Sequence, residues 1–141
     1  MIIRQMDIKD YEELLKLWEH KPDIGDGQID SRDKFEKFLR RNSSYNLVCQ
    51  HKNQIIGSIL CGSDGQSAYI YHLAIREDYR LKGIESDMIN ELIRKLSIDG
   101  VKECRLFVMD DNYDEQDFWI SEGWKQNRDM IVFSRKLKAS N

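Results

Sequence analysis

The stretch that decides the fold is residues 69–92, "YIYHLAIREDYRLKGIESDMINEL". Its opening residues complete the run "SAYIYHLAI", residues 67–75, which is apolar or aromatic almost throughout and predicts a central strand covered on both faces. From Ile84 onward, apolar residues recur at the spacing of a helix that Gly100 is placed to end. The stretch therefore predicts a buried strand that runs through one turn into a long helix.

The turn itself reads "YRLKGIES", residues 79–86. The free backbone N–H groups of a first helical turn, together with the helix dipole, form a local anion site, and Gly83 lets the backbone come close. Arg80 and Lys82 add positive charge. A lone glycine before a helix is equally common as a plain turn, so this feature alone leaves both interpretations open. The glycine spacing fits neither a nucleotide P-loop nor a dinucleotide fingerprint.

Length and composition bound the class of protein. The 141 residues, 40% of them apolar, predict one globular domain spanning residues 1–141. With 22 basic and 25 acidic side chains, and no dense cluster of Lys and Arg, nucleic acid is not an expected partner. There is no signal-peptide core and no apolar run long enough to span a bilayer, so we expect a cytoplasmic protein without a membrane partner.

The three cysteines are odd in number and far apart. Cys49, Cys61 and Cys104 each lie among strand-like apolar residues instead of in the paired spacing of a metal site. They are interpreted as buried free thiols, and no metal is expected.

The remaining segments give the order of elements. A short strand at residues 1–5 precedes a helix over 7–21 with Asp7 as its N-cap, and a loop over 22–30 leads to a second helix over 31–42. A hairpin over 45–62 follows, and beyond the decisive stretch come a strand at 103–109, a helix at 114–123 and a last strand at 129–137. The order β-α-α-β-β-β-α-β-α-β predicts a mixed α/β (α+β) fold, with helices flanking a mostly antiparallel sheet. Five aromatic residues are expected in the core: Trp18, Phe35, Phe38, Phe107 and Phe133.

The decisive stretch resembles the signature of the GCN5-related N-acetyltransferase (GNAT) family, in which an apolar strand leads to Arg or Gln, two residues, Gly, one residue, and Gly or Ala. Three other segments are also similar to that family: "IRQMDIKDYEELLKLW", "QIIGSILCG" and "DDNYDEQDFWISEGW". The ending "RDMIVFSRKL" is similar to small bacterial, YpeA-like members. The resemblance covers nearly the whole chain and implies a single-domain GNAT-like fold.

The resemblance implies acetyl-CoA as co-substrate, bound where two neighbouring parallel strands separate. By position, the backbone of Leu73, Ala74 and Ile75 would contact the pantetheine arm, and Asn112, Phe118 and Trp119 would lie beside the thiol end. The pyrophosphate would be wrapped by residues 80–86, namely Arg80, Leu81, Lys82, Gly83, Ile84, Glu85 and Ser86.

Two residues in the turn depart from the family pattern. Leu81 stands where many members have Gly, and Glu85 stands where the pattern has a small residue. A carboxylate close to a pyrophosphate repels it unless the side chain turns to solvent, whereas backbone donors remain available. We expect weakened cofactor binding.

The expected chemistry is direct attack of a neutral amine on the thioester, which requires a base and stabilisation of the oxyanion. His72, predicted to face away from Tyr71 and Leu73, is one candidate base; a water relayed to Asp110 or Glu115 is another. The interpretation that we favour for His72 is a histidine hydrogen-bonded within the sheet. Trp119 replaces the Tyr that serves as acid in many members, and Tyr113 is the nearest alternative hydroxyl.

The acceptor is expected to be a primary amine of a small molecule or protein. The acidic residues between 110 and 117 are mostly explained as a solvated loop and helix N-terminus, but they could also attract a cationic substrate. A non-catalytic module that binds acyl-CoA or a partner is the alternative function, supported by Glu85, Leu81 and Trp119. A homodimer is plausible because such a sheet has edge strands.

Overall fold

The structure, a computed structural model, describes residues 1–19, 31–42 and 44–138. These form two compact units, one within Met1–Phe107 and the other within Val108–Asn141. The predicted loop over 22–30 lies outside the described residues, and a single domain over 1–141 stays a prediction.

The first unit contains a sheet with the strand order β1-β2-β3-β4-β5. The first four strands pair antiparallel, and β4 pairs parallel with β5, as the mixed, mostly antiparallel prediction requires. Their bounds are β1 Ile2–Gln5, β2 Leu47–His51, β3 Gln54–Ser63, β4 Ser67–Ile75 and β5 Glu103–Arg105. Strand β4 coincides with the apolar run predicted over 67–75.

Three helices of the first unit flank this sheet, α1 Tyr11–Trp18, α2 Arg32–Arg41 and α3 Ile84–Ile98, and the second unit contains α4 Tyr113–Ser121. Asp7 caps as predicted, but it opens a 3-10 turn, Ile8–Asp10, which leads into α1. The side chain of Ser31 caps α2 by accepting a hydrogen bond from the N–H of Lys34.

Neighbouring residues of β3 show which helices cover which face of the sheet. The indole Nε1–H of Trp18 in α1 donates to Ser58 Oγ at 2.9 Å, so Ser58 faces α1. A Cβ built on Gly57 would come within 3.1 Å of Met88 Sδ in α3. Because successive strand residues point to opposite faces, α1 and α3 lie on opposite faces of the sheet. Phe35 and Leu39 of α2 belong to the same core cluster as Trp18, which places α2 with α1.

Two of the strands predicted for the C-terminal part of the chain are wrong, one in length and one in existence. The strand predicted over 103–109 is paired only over Glu103–Arg105, and no strand forms over 129–137. Phe107 and Phe133, expected in the core, are 70% and 89% exposed. Alternating apolar residues favour a strand only when a partner strand supplies hydrogen bonds and a covered face, and residues 129–137 have neither among the described residues. Trp18, Phe35 and Phe38 are buried or partly buried, as predicted.

Candidate functional site

The edge of β4 that faces β5 is paired over only part of its length. The parallel register joins Ser67 to Glu103, Ala68 to Cys104 and Tyr69 to Arg105, and stops there. Strand β4 continues to Ile75, with β3 as its antiparallel neighbour on the other side. The C-terminal part of β4 therefore has peptide groups on the β5 side that this sheet does not use.

The direction of those peptide groups follows from one hydrogen bond. Just beyond β4, the N–H of Arg76 donates to the carbonyl of Ile56 at 2.8 Å and so points toward β3. Peptide groups alternate in direction along a strand, so Ala74 faces β3 as well, whereas Leu73 and Ile75 face the opposite side. Of the three residues predicted to contact pantetheine, these two present backbone N–H and C=O groups at the unpaired edge.

The turn after β4 contains two residues in the left-handed backbone region. Gly83 has a φ of +83° and is the N-cap of α3, and a Cβ built on it meets no atom within 4 Å. Leu81 has a φ of +62° and is 93% exposed. For a residue with a Cβ this backbone costs about 1 kcal/mol, and no burial of the leucine side chain offsets that cost. Glycine, common in the family at this position, adopts this backbone without strain, whereas Leu81 is strained in it.

The backbone of this turn has donors available for an anion. The N–H of Asp87 bonds to the carbonyl of Gly83, which closes the first turn of α3. In any α-helix the N–H groups of the first residues have no acceptor within the helix, and here the first two belong to Ile84 and Glu85. The positive end of a 15-residue helix dipole adds to them.

The basic side chains of the turn are largely occupied by local partners. Arg76 binds both carboxylate oxygens of Asp78, at 2.7 and 2.9 Å, and this contact lowers the pKa of Asp78. Arg80 lies 3.5 Å from the carboxylate of Glu77. Lys82 Nζ lies 5.4 Å from the centre of the Tyr79 ring. The positive charge expected from Arg80 and Lys82 is therefore partly offset within the turn, and anion binding falls mainly to the backbone.

Tyr79 organises this turn and was missed from the sequence. The guanidinium of Arg76 lies 4.8 Å from the centre of the Tyr79 ring, and the ammonium of Lys82 lies over the same ring. The Tyr79 hydroxyl is 2.8 Å from His51 Nδ1 at the end of β2. The only sequence signal was an aromatic residue within a charged loop.

Glu85 does not turn its whole carboxylate to solvent. The residue is partly buried, its Oε1 atom is shielded from water, and no described residue donates a hydrogen bond to that atom. Glu85 is the second residue of α3, directly beside the free N–H groups. Weakened binding of a pyrophosphate next to this carboxylate stays a prediction.

The prediction that His72 and Tyr71 face opposite sides of the sheet is wrong. The β3–β4 register pairs Leu60 with His72 and Cys61 with Ile70, so Tyr71 is an extra residue that forms a β-bulge. The Tyr71 ring contacts Phe38 of α2 with centroids 5.8 Å apart, and the His72 ring contacts Trp18 of α1 at 6.4 Å. Both rings therefore lie on the face covered by α1 and α2, where His72 is only 9% exposed.

The other predicted site residues belong to the second unit. Asn112 is the N-cap of α4: its Oδ1 accepts from the N–H of Glu115 at 3.2 Å, and its Nδ2 donates to Glu115 Oε2 at 3.0 Å. Tyr113 is 69% exposed, and Asp110 is exposed as well. Trp119 is buried between Phe118, at 5.2 Å, and Trp124, at 4.9 Å. The structure thus gives Asn112 and Glu115 a capping role and Trp119 a packing role.

The three thiols are free, with Cys49 and Cys61 buried, as predicted, and Cys104 partly buried. A hydrogen bond between the Cys61 and Cys104 thiols raises the pKa of Cys61 and lowers that of Cys104. No three His, Cys, Asp or Glu side chains cluster as metal ligands in the described part of the chain. Nor is any helix within those ranges long and apolar enough to cross a membrane.

Comparison with known proteins bears on the whole chain. Residues 11–123 match the acetyltransferase (GNAT) family model. An acetyltransferase of Yersinia pestis (strain Pestoides F) is 29% identical over 143 residues, covering 97% of this chain and 96% of the relative. An acetyltransferase of Sodalis glossinidius (strain morsitans) is 33% identical over 112 residues, covering 79% of this chain and 78% of the relative.

A solved structure supports the same fold. The aminoglycoside acetyltransferase from an uncultured soil metagenomic sample, in complex with trehalose, superimposes with a TM-score of 0.80 over 97% of this chain and 96% of that one, at 22% identity. Together with the family match and the strand–turn–helix geometry, this confirms the predicted fold class. The chain belongs to the GNAT family of acetyltransferases and is an acetyl-CoA-dependent N-acetyltransferase.

Proposed function

We propose that the chain transfers an acetyl group from acetyl-CoA to a primary amine of a small molecule or protein, by direct attack of the amine on the thioester. The observation that carries this proposal is the continuity of two sets of backbone groups: the unpaired edge of β4 at Leu73 and Ile75, and the free N–H groups at the start of α3. An extended pantetheine arm requires the first set, and a pyrophosphate requires the second.

The residues present fit acetyl-CoA mainly through their backbone. The open space over Gly83 leaves room for a phosphate close to the chain, and the N–H groups of Ile84 and Glu85 supply donors there. Glu85 opposes this binding, and its carboxylate is the feature that fits least well. Acetyl-CoA, when bound, supplies an activated thioester carbonyl.

Proton removal from the amine has one candidate on the same strand as the proposed pantetheine contacts. His72 precedes Leu73 on β4 and is held against Trp18 by packing on the α1 and α2 face. An imidazole titrates in the range that a base needs at neutral pH. A water relayed to Asp110 or Glu115 as base, and Tyr113 as acid, remain part of the proposal, as does binding of the thiol end by Asn112, Phe118 and Trp119.

The first prediction concerns the reaction itself. The protein should bind acetyl-CoA in calorimetry and release free CoA, measured chromatographically, when a panel of primary amines is added. Mass spectrometry of the acceptor should show one added acetyl group. A Kd of about 1 mM corresponds to a binding free energy of only about −4 kcal/mol. Failure to bind acetyl-CoA even at that concentration would contradict the proposal. Binding without turnover on any amine would favour a non-catalytic acyl-CoA module.

The second prediction concerns Gly83. Gly83→Ala should weaken CoA binding at least about tenfold. The methyl group of the alanine would fill the space that the phosphate would occupy, and the displaced phosphate would lose a charge-assisted hydrogen bond to the turn. Gly65→Ala is the matched control, since Gly65 also has a left-handed φ, +95°, and equally open surroundings. Both variants should lose about 1–2 kcal/mol of unfolding free energy in urea. Equal CoA affinities for the two variants would show that Gly83 has only a conformational role.

The third prediction concerns Glu85. Glu85→Gln should tighten CoA binding by about three- to tenfold in calorimetry, because it removes a negative charge close to the pyrophosphate while keeping the side-chain shape. Asp87→Asn is the control: it removes an exposed carboxylate from the same helical turn, where solvent screens the charge. An unchanged affinity for Glu85→Gln would mean that the Glu85 carboxylate does not act on the cofactor.

A further inference from the structure

The face of α2 next to β4 forms a pocket of about 380 Å³. Its lining consists of Lys34, Lys37, Phe38, Arg41, Asn42 and Tyr71. Four of these residues belong to α2, and their positions, 34, 37, 38 and 41, have the spacing of one helix face. Tyr71 is the bulged residue of β4. The pocket thus joins α2 to the strand that carries the proposed cofactor edge.

The floor of this pocket is held by packing and hydrogen bonds. A Cβ on Gly62 would come within 2.9 Å of the Tyr71 ring and 3.0 Å of Asn42 Oδ1, so these two side chains occupy the space beside Gly62. Asn42 Nδ2 donates to the carbonyl of Phe38 at 3.2 Å, and its Oδ1 accepts from the N–H of Ser63 at 3.4 Å. The end of α2 is therefore fixed to β3.

The lining contains three cations and no carboxylate. Two acids on these helices pair with cations outside the lining: Glu36 pairs with Arg40 at 2.5 Å, and Glu12 pairs with Arg32 at 3.6 Å. Over residues 1–19, 31–42 and 44–138, no carboxylate lies within the ion-pair limit of 4.0 Å from Lys37 or Arg41. Both side chains are exposed and available to a ligand.

This arrangement contrasts with the turn after β4. There, Arg76 and Arg80 are ion-paired to neighbouring acids, so the turn offers backbone donors more than net charge. On α2, Lys37 and Arg41 have no carboxylate partner among the described residues, and they lie beside the aromatic surface of Phe38 and Tyr71, which can receive the body of a small molecule. Tyr71 and Leu73 are two residues apart on β4, about 7 Å, which is within the reach of a small acceptor molecule.

We infer that the acceptor amine carries an anionic group, a carboxylate or a phosphate, which docks on Lys37 and Arg41 in the α2 pocket. This inference rests on the proposed acetyl transfer. Lys34 lies at the same face, and the Phe38–Tyr71 pair supports the apolar part of the acceptor. The expectation that the acidic residues between 110 and 117 attract a cationic acceptor predicts the opposite charge preference, so one panel of amines decides between them.

The test uses acceptors that differ mainly in charge: aminopropyl phosphate against aminopropanol, γ-aminobutyrate against butylamine, and putrescine as the dication. With the full chain and saturating acetyl-CoA, kcat/KM from CoA release should be at least about fivefold higher for the anionic member of each pair, and added salt should reduce the difference. A preference for putrescine, or equal values across the pairs, would overturn the inference.

Charge reversal locates the effect. Lys37→Glu should lower kcat/KM about tenfold for the anionic acceptors and leave aminopropanol nearly unchanged. The control, Lys16→Glu, makes the same charge change on the exposed surface of α1, outside the pocket lining, and should alter neither. An equal loss in Lys37→Glu for all acceptors, or the same loss in Lys16→Glu, would contradict docking at Lys37.

A second readout separates this inference from the proposed activity. Aminopropyl phosphate should bind the CoA-loaded protein in calorimetry, and Lys37→Glu should abolish that binding. If binding follows this pattern while no amine is acetylated, the assignment of an anion-binding pocket holds and the proposed acetyl transfer fails. If acetylation occurs but aminopropyl phosphate binds both proteins equally, the pocket assignment fails alone.

Discussion

The proposed site depends on where the parallel pairing of β4 with β5 ends. Strand β4 pairs with β5 over three residues, and from Ile70 to Ile75 no described strand pairs with it on that side. Backbone N–H and C=O groups require hydrogen-bond partners, which for this edge are water or a ligand with backbone-like polar groups. The amide groups of a pantetheine arm meet that requirement. The same strand leads directly into the turn at Gly83, so the strand edge and the helix N-terminus follow one another along the chain.

We propose two kinds of anion recognition in the first unit. In the turn after β4, acidic neighbours offset Arg76 and Arg80, and the binding groups are backbone N–H donors whose direction is set by the left-handed backbone at Gly83. Such donors need closely fitting geometry and suit a pyrophosphate of fixed shape. On α2, Lys37 and Arg41 have no carboxylate partner among the described residues, and their charges on flexible side chains suit an acceptor of less defined shape. In the turn, Glu85 is the group that we expect to oppose binding.

Much of the fold could be predicted from the sequence because the apolar pattern is strong where burial is complete. Strand β4 and helix α3 were located from that pattern alone, and the hairpin of β2 and β3 from its polar turn. The bulge at Tyr71 could not be predicted, since one inserted residue leaves the run apolar while it moves Tyr71 onto the same face as His72. The predicted last strand failed because an alternating pattern does not reveal whether a pairing partner exists. Residues 80–86 were predicted as a binding turn from a motif. The left-handed backbone at Leu81 is not evident from that motif, and the contacts of Tyr79 with His51 and of Phe38 with Tyr71 join residues distant in sequence.

The central claim is that backbone groups of β4 and of the first turn of α3 hold acetyl-CoA. Titration of the isotope-labelled protein with CoA, followed by amide chemical shifts, tests it most directly, because each N–H reports on its own hydrogen bond. The account predicts the largest shifts at Leu73, Ile75 and residues 83–86, and small shifts at Ala74, whose amide faces β3. Saturable CoA binding that leaves the amides of Leu73, Ile75 and residues 83–86 unshifted would contradict it.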